Sequence, residues 1–442
     1  MSVRVLPAAL LLLLAIPLLG QEPRSAPKIE GKSKNEEVEK AAALFQKGKI
    51  DESFLQLKEA VKITPSLPPA RLMLTRFFLS SNQPQLARAQ LELAFNENPD
   101  HPEIYLTNAS IALSEGRLAD TILNCRTALD LSAAERWSSE QKSTFRREAR
   151  AGLATAFESR QDWASARKEL TFWLEFEPKN GAMRQRLSRS LFYLDKYDDA
   201  FLELQAAHKD DPTMDPPEIG MGRFASLRED RKLAEEWFEK AVMKFPKNPK
   251  VHQSYGAWLL DVGKTEAAKI HIEIAEKLDP KSRETLALKG LLARYERDFP
   301  AAEKLFEELN RDNPGDFFAS NQLALVLIEI SDPKQQKRAI QLAEVNARQY
   351  GRSAEALATL GWTLFRSGRL EEADRVFGAV KTAGVVQPDT AYYMAKVLQG
   401  LGKLEEARTI LDKALESKGV FVNRKEAGLF RGELKGTTPK KP

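Results

Sequence analysis

The stretch Val251-HQSYGAWLLDVGKTEAAKIHIEIAEKLD-Pro280 decides the fold. It reads as a helix, a turn at Gly263-Lys264 and a second helix stopped by proline. Glycine just past a helix end supplies the left-handed conformation that releases the last carbonyls. Proline after a helix cannot continue the hydrogen-bonded ladder. Small side chains stand at Gly256 and Ala268, where two such helices would cross, and Ile272 adds a large apolar one.

The same punctuation recurs outward from this stretch. Pro65 and Pro99 are 34 residues apart, and Pro178, Pro212, Pro246, Pro280 and Pro314 follow one another at the same interval. Self-similarity at this period is the mark of a helix-turn-helix array. Counting within each unit, position 8 holds Ala42, Thr75, Ala109, Ala154, Ser188, Gly222, Gly256, Gly290, Ala324, Gly361 and Ala395. Position 20 holds Ser53, Ala87, Thr121, Ala166, Ala200, Ala234, Ala268, Ala302, Ala339, Ala373 and Ala407. Small residues at both places let helix backbones approach closely. Position 24 is large and apolar at Leu57, Leu91, Leu170, Leu204, Phe238, Ile272, Phe306, Phe377 and Leu411, and Cys125 shares it, which predicts a buried hydrophobe rather than a reactive thiol.

This pattern of Gly/Ala at 8, Ala at 20 and Pro at 32 resembles the tetratricopeptide repeat family. The units at Val251–Pro280 and Ala354–Val380 carry it most fully, the latter through Leu360-Gly361-Trp362, Gly368-Arg369-Leu370 and Glu371-Glu372-Ala373. The resemblance covers about Asn35 to Phe421. It implies an all-α fold: a right-handed superhelical solenoid of about eleven helical hairpins, of the exported bacterial type. Three departures stand out: an excess of about eleven residues near Arg136–Arg146, extra residues at Ser331-Asp332-Pro333, and a late end to the tenth unit at Thr382–Pro388. Val422 to Lys435 reads as a helix that covers the apolar end of the stack, since terminal repeats need a cover. Residues 436–442 read as a solvated tail.

The N-terminus carries Arg4, then a charge-free apolar run from Val5 to Leu19 that ends at Gly20. That layout predicts a secretory signal peptide over residues 1–20, followed by a polar leader over 21–34. Fifteen apolar residues are short for a bilayer span, which needs about 20. Periplasmic or secreted placement is therefore the expectation, with no integral span after cleavage. The competing reading is an uncleaved anchor on an intracellular adaptor or co-chaperone.

Charge excludes some classes. The 442 residues hold 67 basic and 63 acidic side chains, a net of +4. A nucleic-acid binder would concentrate basic charge on one face, so none is expected as a partner. A single cysteine permits no intramolecular disulfide and no zinc knuckle. His101, His208, His252 and His271 read as scattered over separate repeats, and no His-Glu-x-x-His pair exists. Gly220-Met-Gly222 lacks the third glycine of a dinucleotide loop, and phosphate-loop and nucleophile-elbow motifs are missing. No enzyme, cofactor or metal is expected. The sequon Asn108-Ala-Ser110 falls inside a predicted helix, a poor acceptor for glycosylation.

The surface left for function is the concave one. The family's geometry implies that first-helix positions 2, 5, 9, 12 and 13 line a groove. They give Arg76, Gln185, Arg189, Phe192, Tyr193, Arg223, Arg294, Tyr295, Asn321, Trp362, Phe365, Arg366, Tyr392 and Lys396. Aromatic and arginine side chains are frequent binding anchors, and Arg can hold a carboxylate with two prongs. The expected partners are other proteins or peptides, acidic segments among them. The alternative is that some of these side chains fill the superhelix interior. The set does not match the Lys/Asn carboxylate clamp of chaperone-binding members of the family.

Overall fold

The computed structural model describes residues 4–5, 35–351, 353–382, 385–417, 419 and 421–436. The expected leader, the tail beyond Gly436 and all of the expected signal segment except Arg4 and Val5 lie outside the described residues.

The fold is all-α, a helical-repeat solenoid of 23 helices among the described residues. They pair into eleven hairpins. Hairpins one to five are α1 (Glu36–Gln46) with α2 (Ile50–Ile63), α3 (Ala70–Ser80) with α4 (Pro84–Glu97), α5 (Pro102–Ser114) with α6 (Leu118–Leu131), α7 (Ser139–Ser159) with α8 (Trp163–Leu174), and α9 (Gly181–Tyr193) with α10 (Tyr197–Asp210). Hairpins six to eleven are α11 (Pro217–Leu227) with α12 (Arg231–Lys244), α13 (Pro249–Asp261) with α14 (Thr265–Leu278), α15 (Arg283–Tyr295) with α16 (Phe299–Asp312), α17 (Phe317–Leu327) with α18 (Pro333–Gln349), α19 (Ala354–Arg366) with α20 (Leu370–Thr382), and α21 (Pro388–Gly400) with α22 (Leu404–Glu416). A final α23 spans Arg424–Gly436. The one strand pairing among the described residues is a two-residue parallel contact of β1 (Arg4–Val5) with β2 (Val385–Val386). No described helix is long and apolar enough to cross a membrane.

The described residues form two compact units, 35–221 and 222–436 with 4–5, and the boundary falls within α11. In both units the helix crossing is made as the spacing predicts. Position 20 is fully buried in every hairpin. Hydroxyls tie the crossing: Ser53 Oγ donates to the Ala41 carbonyl at 2.7 Å, and Ser188 Oγ to that of Ala200 at 2.6 Å. Both pairs are twelve residues apart, which corrects the first register. Ala41, fully buried, is the crossing residue of hairpin one, and Ala42 is only half-buried. A crossing glycine also abuts position 24, one turn beyond position 20. A Cβ on Gly361 would lie 2.6 Å from the Phe377 ring, and one on Gly290 2.7 Å from that of Phe306.

Ten of the eleven turns between paired helices use one of two chemistries. Gly48, Gly116, Gly263, Gly368 and Gly402 are left-handed, with φ of 73–82°. Asn82, Gln161, Asp195, Glu229 and Arg297 take the same conformation without being glycine. Three of these five are followed by an aspartate, Asp162, Asp230 or Asp298, whose side chain accepts an N–H three residues on. The cap satisfies a donor that the next helix would otherwise leave free. Between hairpins, the repeat proline's carbonyl accepts from a side chain six residues later: Tyr105 on Pro99, Arg184 on Pro178 and His252 on Pro246, at 2.7–3.0 Å.

The excess near Arg136–Arg146 runs into α7, which is 21 residues long and opens on a capping box between Ser138 and Gln141. Trp137 and Phe145 pack edge-on, ring centroids 5.3 Å apart, and His101 joins them. Asn108 gives its amide to Asn124 at 3.0 Å. Cys125 is buried, and burial pushes its thiol up to about 12.

The histidines do not all stand apart. His252 and His271 belong to the same hairpin, on α13 and α14, and their Nδ1 atoms lie 3.0 Å apart. His252 must donate through Nε2 to the Pro246 carbonyl. Of the two facing Nδ1 atoms one donates and the other accepts, as the tautomers of the rings decide. Burial first, and then His252, hold the His271 imidazole down to about 4.

Candidate functional site

The largest gathering of expected groove residues lies in the C-terminal unit. Trp362 on α19 is only 4% exposed. Its indole Nε1 donates to Glu329 at 2.9 Å. Its ring stacks on Tyr393 at 4.2 Å and 17°, and on Phe365 at 5.5 Å and 23°. Arg366, one turn further on, pairs with the other oxygen of Glu329, and its guanidinium stands 5.4 Å from the Trp362 ring centre. One carboxylate therefore fixes both the indole and the guanidinium.

From α21, Tyr392 lies edge-on to Phe421 and Phe430, and burial pushes its phenol up to about 12. Lys396 sits one turn along, its ammonium 3.7 Å over the Phe430 ring. On another wall, Arg297 pairs with Glu426 of α23 at 2.7 Å. Together with Gln399 and Asn423 these side chains line an open concavity of about 430 Å³.

The floor is cross-linked by buried polar groups. Asp389, at the start of α21, accepts from the Val422 and Asn423 backbones and from the Asn423 side chain, at 2.7–3.1 Å. Burial raises its carboxyl above the usual range, and Arg294 opposes that rise. Arg294 reaches Gln322 at 3.1 Å and Tyr393 at 3.4 Å, so α15, α17 and α21 share one buried network. Asn321 is fully buried and donates to Glu355 at 3.2 Å. Burial also raises the Glu355 carboxyl. A hydrogen-bonded interior of this kind holds its walls in one arrangement.

Five expected residues meet here: Trp362 and Tyr392, themselves buried, make the floor, and Phe365, Arg366 and Lys396 stand open above it. Four others are corrected. Phe192 and Asn321 are fully buried, and Arg223 and Arg294 are 8% exposed. They face the groove by position but are spent inside it: Phe192 on Tyr193 and Tyr197, Arg223 on Ser254, Arg294 on the network above. Tyr295 is half-buried behind Arg294, with its phenol raised by burial.

In the N-terminal unit, Arg76 pairs with Glu103 at 2.6 Å. Arg189 pairs with Glu158 at 2.9 Å and stands over Trp163, on which Tyr193 stacks at 4.4 Å. Gln185 is half-buried on the same helix, α9. That unit holds a larger hollow of about 560 Å³, but its one cation, Arg136, is tied to Asp100 and no aromatic lines it. Size alone does not make it the better site.

Sequence reasoning missed Arg297, Glu329, Gln399, Asn423 and Glu426. Gln399 stands at groove position 12 and could have been found by applying the spacing throughout. Arg297 and Glu329 sit in turns, and Asn423 and Glu426 lie past the last repeat, where no period points to them.

No protein-family model matches the chain, and no curated protein matches it. Solved structures do show likeness. A tetratricopeptide repeat protein of Thermus thermophilus is 17% identical over 43% of this chain and all of its own, with a TM-score of 0.37. One of Parabacteroides merdae is 16% identical over 66% of this chain and 99% of its own, at 0.38. The APC/C hetero-tetramer Cut9-Hcn1 is 11% identical over 91% of this chain and 90% of the matched chain, at 0.44. Each is a likeness of fold.

Proposed function

We propose that this chain is a non-catalytic scaffold that holds segments of other proteins, and that it does so in the concavity between α19, α21 and α23. One observation carries the reading: Trp362 and Tyr392 form an aromatic floor beneath Phe365, Arg366 and Lys396 in an open hollow with braced walls. Rings and cations beside a desolvated floor are the usual anchors of protein contacts. The basic start and apolar run at the N-terminus support work in the cell envelope or extracytoplasmic space, with assembly of secretion, polysaccharide-export or outer-membrane machinery as the role.

Site-specific photocrosslinking tests the holding site. A benzophenone side chain at Gln399 should capture protein in living cells, and one at Glu405, exposed on α22, should not. Equal capture from both positions would place the site elsewhere. Cell fractionation with N-terminal sequencing tests the location. An intact Met1 in a soluble cytoplasmic pool rejects export.

A further inference from the structure

The three cations of the concavity are not equivalent. Arg366 is taken by Glu329 and Arg297 by Glu426. Lys396 makes no ion pair among the described residues, and Glu433 acts on it only from beyond pairing distance. Its ammonium is held against the Phe430 and Tyr392 rings instead. Burial lowers its affinity for the proton, the sign of a charge short of solvent and of a counter-ion. The lining therefore carries one net positive charge, beside apolar rings.

We infer that Lys396 receives the side-chain carboxylate of an aspartate or glutamate in an extended partner segment, whose neighbouring aromatic or aliphatic side chain lies on Phe365. This deepens the scaffold reading and rests on it. An acid at this point neutralises a half-desolvated lysine without opening either existing ion pair. A chain-terminal carboxylate fits less well. Its two oxygens are best gripped by a forked guanidinium, and both guanidiniums here are already occupied. A basic segment would stand against an unpaired ammonium and gain nothing from it.

The test uses the full chain and an array of acetylated, amidated heptapeptides. Each carries a central Asp or Glu one or two residues from Phe, Tyr, Trp or Leu. Each is printed beside its Asn or Gln twin, and beside that twin with a free C-terminus. Acidic members should bind over their amide twins. The best, followed by fluorescence anisotropy, should weaken roughly tenfold with Lys396→Gln and recover with Lys396→Arg. Circular dichroism and the thermal midpoint check that both variants fold.

Acidic members no better than their twins, or an affinity indifferent to Lys396→Gln, overturns the inference. So does an equal loss for acidic and neutral peptides, which marks a merely structural lysine. Free-terminus twins that bind as well as the acidic members overturn it in favour of a terminal carboxylate. Crosslinks at Gln399 that persist through any of these results leave the scaffold reading standing and remove only the acidic partner. Loss of both removes both.

Discussion

The two units solve the same helix crossing with different volumes. In the N-terminal unit, the crossing residues Ala41, Thr75, Ala109, Ala154 and Ser188 face Leu57, Leu91, Cys125, Leu170 and Leu204. In four of the six hairpins of the C-terminal unit, Gly222, Gly256, Gly290 and Gly361 face Phe238, Ile272, Phe306 and Phe377, while hairpin nine keeps Ala324 and hairpin eleven Ala395 with Leu411. Where the first helix gives up a methyl, the second mostly supplies a ring. Interiors are packed at near-crystalline density, so the sum of the pair is constrained more tightly than either member. The difference shows that the repeat is a rule about a pair of side chains sixteen residues apart, not about a small residue alone.

The largest expected effect breaks that pair. Gly361→Ala would press a methyl against Phe377 at 2.6 Å. It should cost about 1–3 kcal/mol by overpacking, read as a fall in the denaturant midpoint. Phe377→Leu alone leaves a cavity and should cost a similar amount. The double variant recreates the N-terminal solution and should lose less than the two single changes added together. Simple additivity would mean that the contact does not couple the two positions. Ala154→Gly, the mirror change in the N-terminal unit, should cost only ~0.5–1 kcal/mol, because a helical glycine mainly loses entropy.

That pairing was half legible in the sequence. Small residues at positions 8 and 20 were visible because a 34-residue period repeats them, and the structure buries both. The partnership of position 8 with position 24 was not, since only three dimensions show which turn of the second helix the glycine meets. Hairpin one misled the register by one residue, as Ala41, Ala42 and Ala43 are chemically alike and the period alone chose among them. The site followed the same division. Trp362, Phe365, Arg366, Tyr392 and Lys396 stand at positions the register supplies, and the structure brings them to one concavity. Glu329, Arg297 and Glu426 hold the cations in place from turns and from α23, where periodicity says nothing. Phe192 and Arg294 show the reverse error: groove register gives direction, and burial is set by what packs opposite.

A second contrast lies inside hairpin seven, where two groups respond oppositely to pH. His271 is held down from 6.5 to about 4 in the folded chain. Between those values the unfolded chain binds more protons, so this group's contribution to stability falls as pH falls. Asp261, at the end of α13, is pushed up from 3.8 to about 7 by burial, against the pull of Arg231. There the folded chain binds more protons, so its contribution is present at low pH and falls as pH rises towards 7. From about pH 4 to 6.5 the two slopes oppose each other, each limited to about 1.4 kcal/mol per pH unit. Asp261→Asn should therefore steepen the loss of stability on acidification, and His271→Gln should flatten or invert it. Urea midpoints measured from pH 4 to 7.5 decide it. Parallel curves for all three proteins would show that neither group changes protonation on unfolding.

The smallest effect compares the two kinds of turn. Glu229 and Gly263 occupy the same left-handed position in neighbouring hairpins, at φ 61° and 82°. A side chain there costs about 1–2 kcal/mol. Glycine would relieve that strain but adds freedom to the unfolded chain, which returns roughly 0.5–1 kcal/mol. Glu229→Gly should thus stabilise by only a few tenths to about 1 kcal/mol. Gly263→Ala should destabilise by a comparable amount. The Asp230 side chain, which accepts from Leu233 N–H at 3.0 Å, has no counterpart at the glycine turn, where Lys264 makes no side-chain cap. If capping is what lets a turn do without glycine, Asp230→Ala should cost about 1 kcal/mol. In the presence of Glu229→Gly that cost should shrink, because the turn no longer relies on the cap to hold its conformation. An undiminished cost in the double variant would mean that the aspartate serves the helix alone, and that the strained residue before it is held by packing between the hairpins.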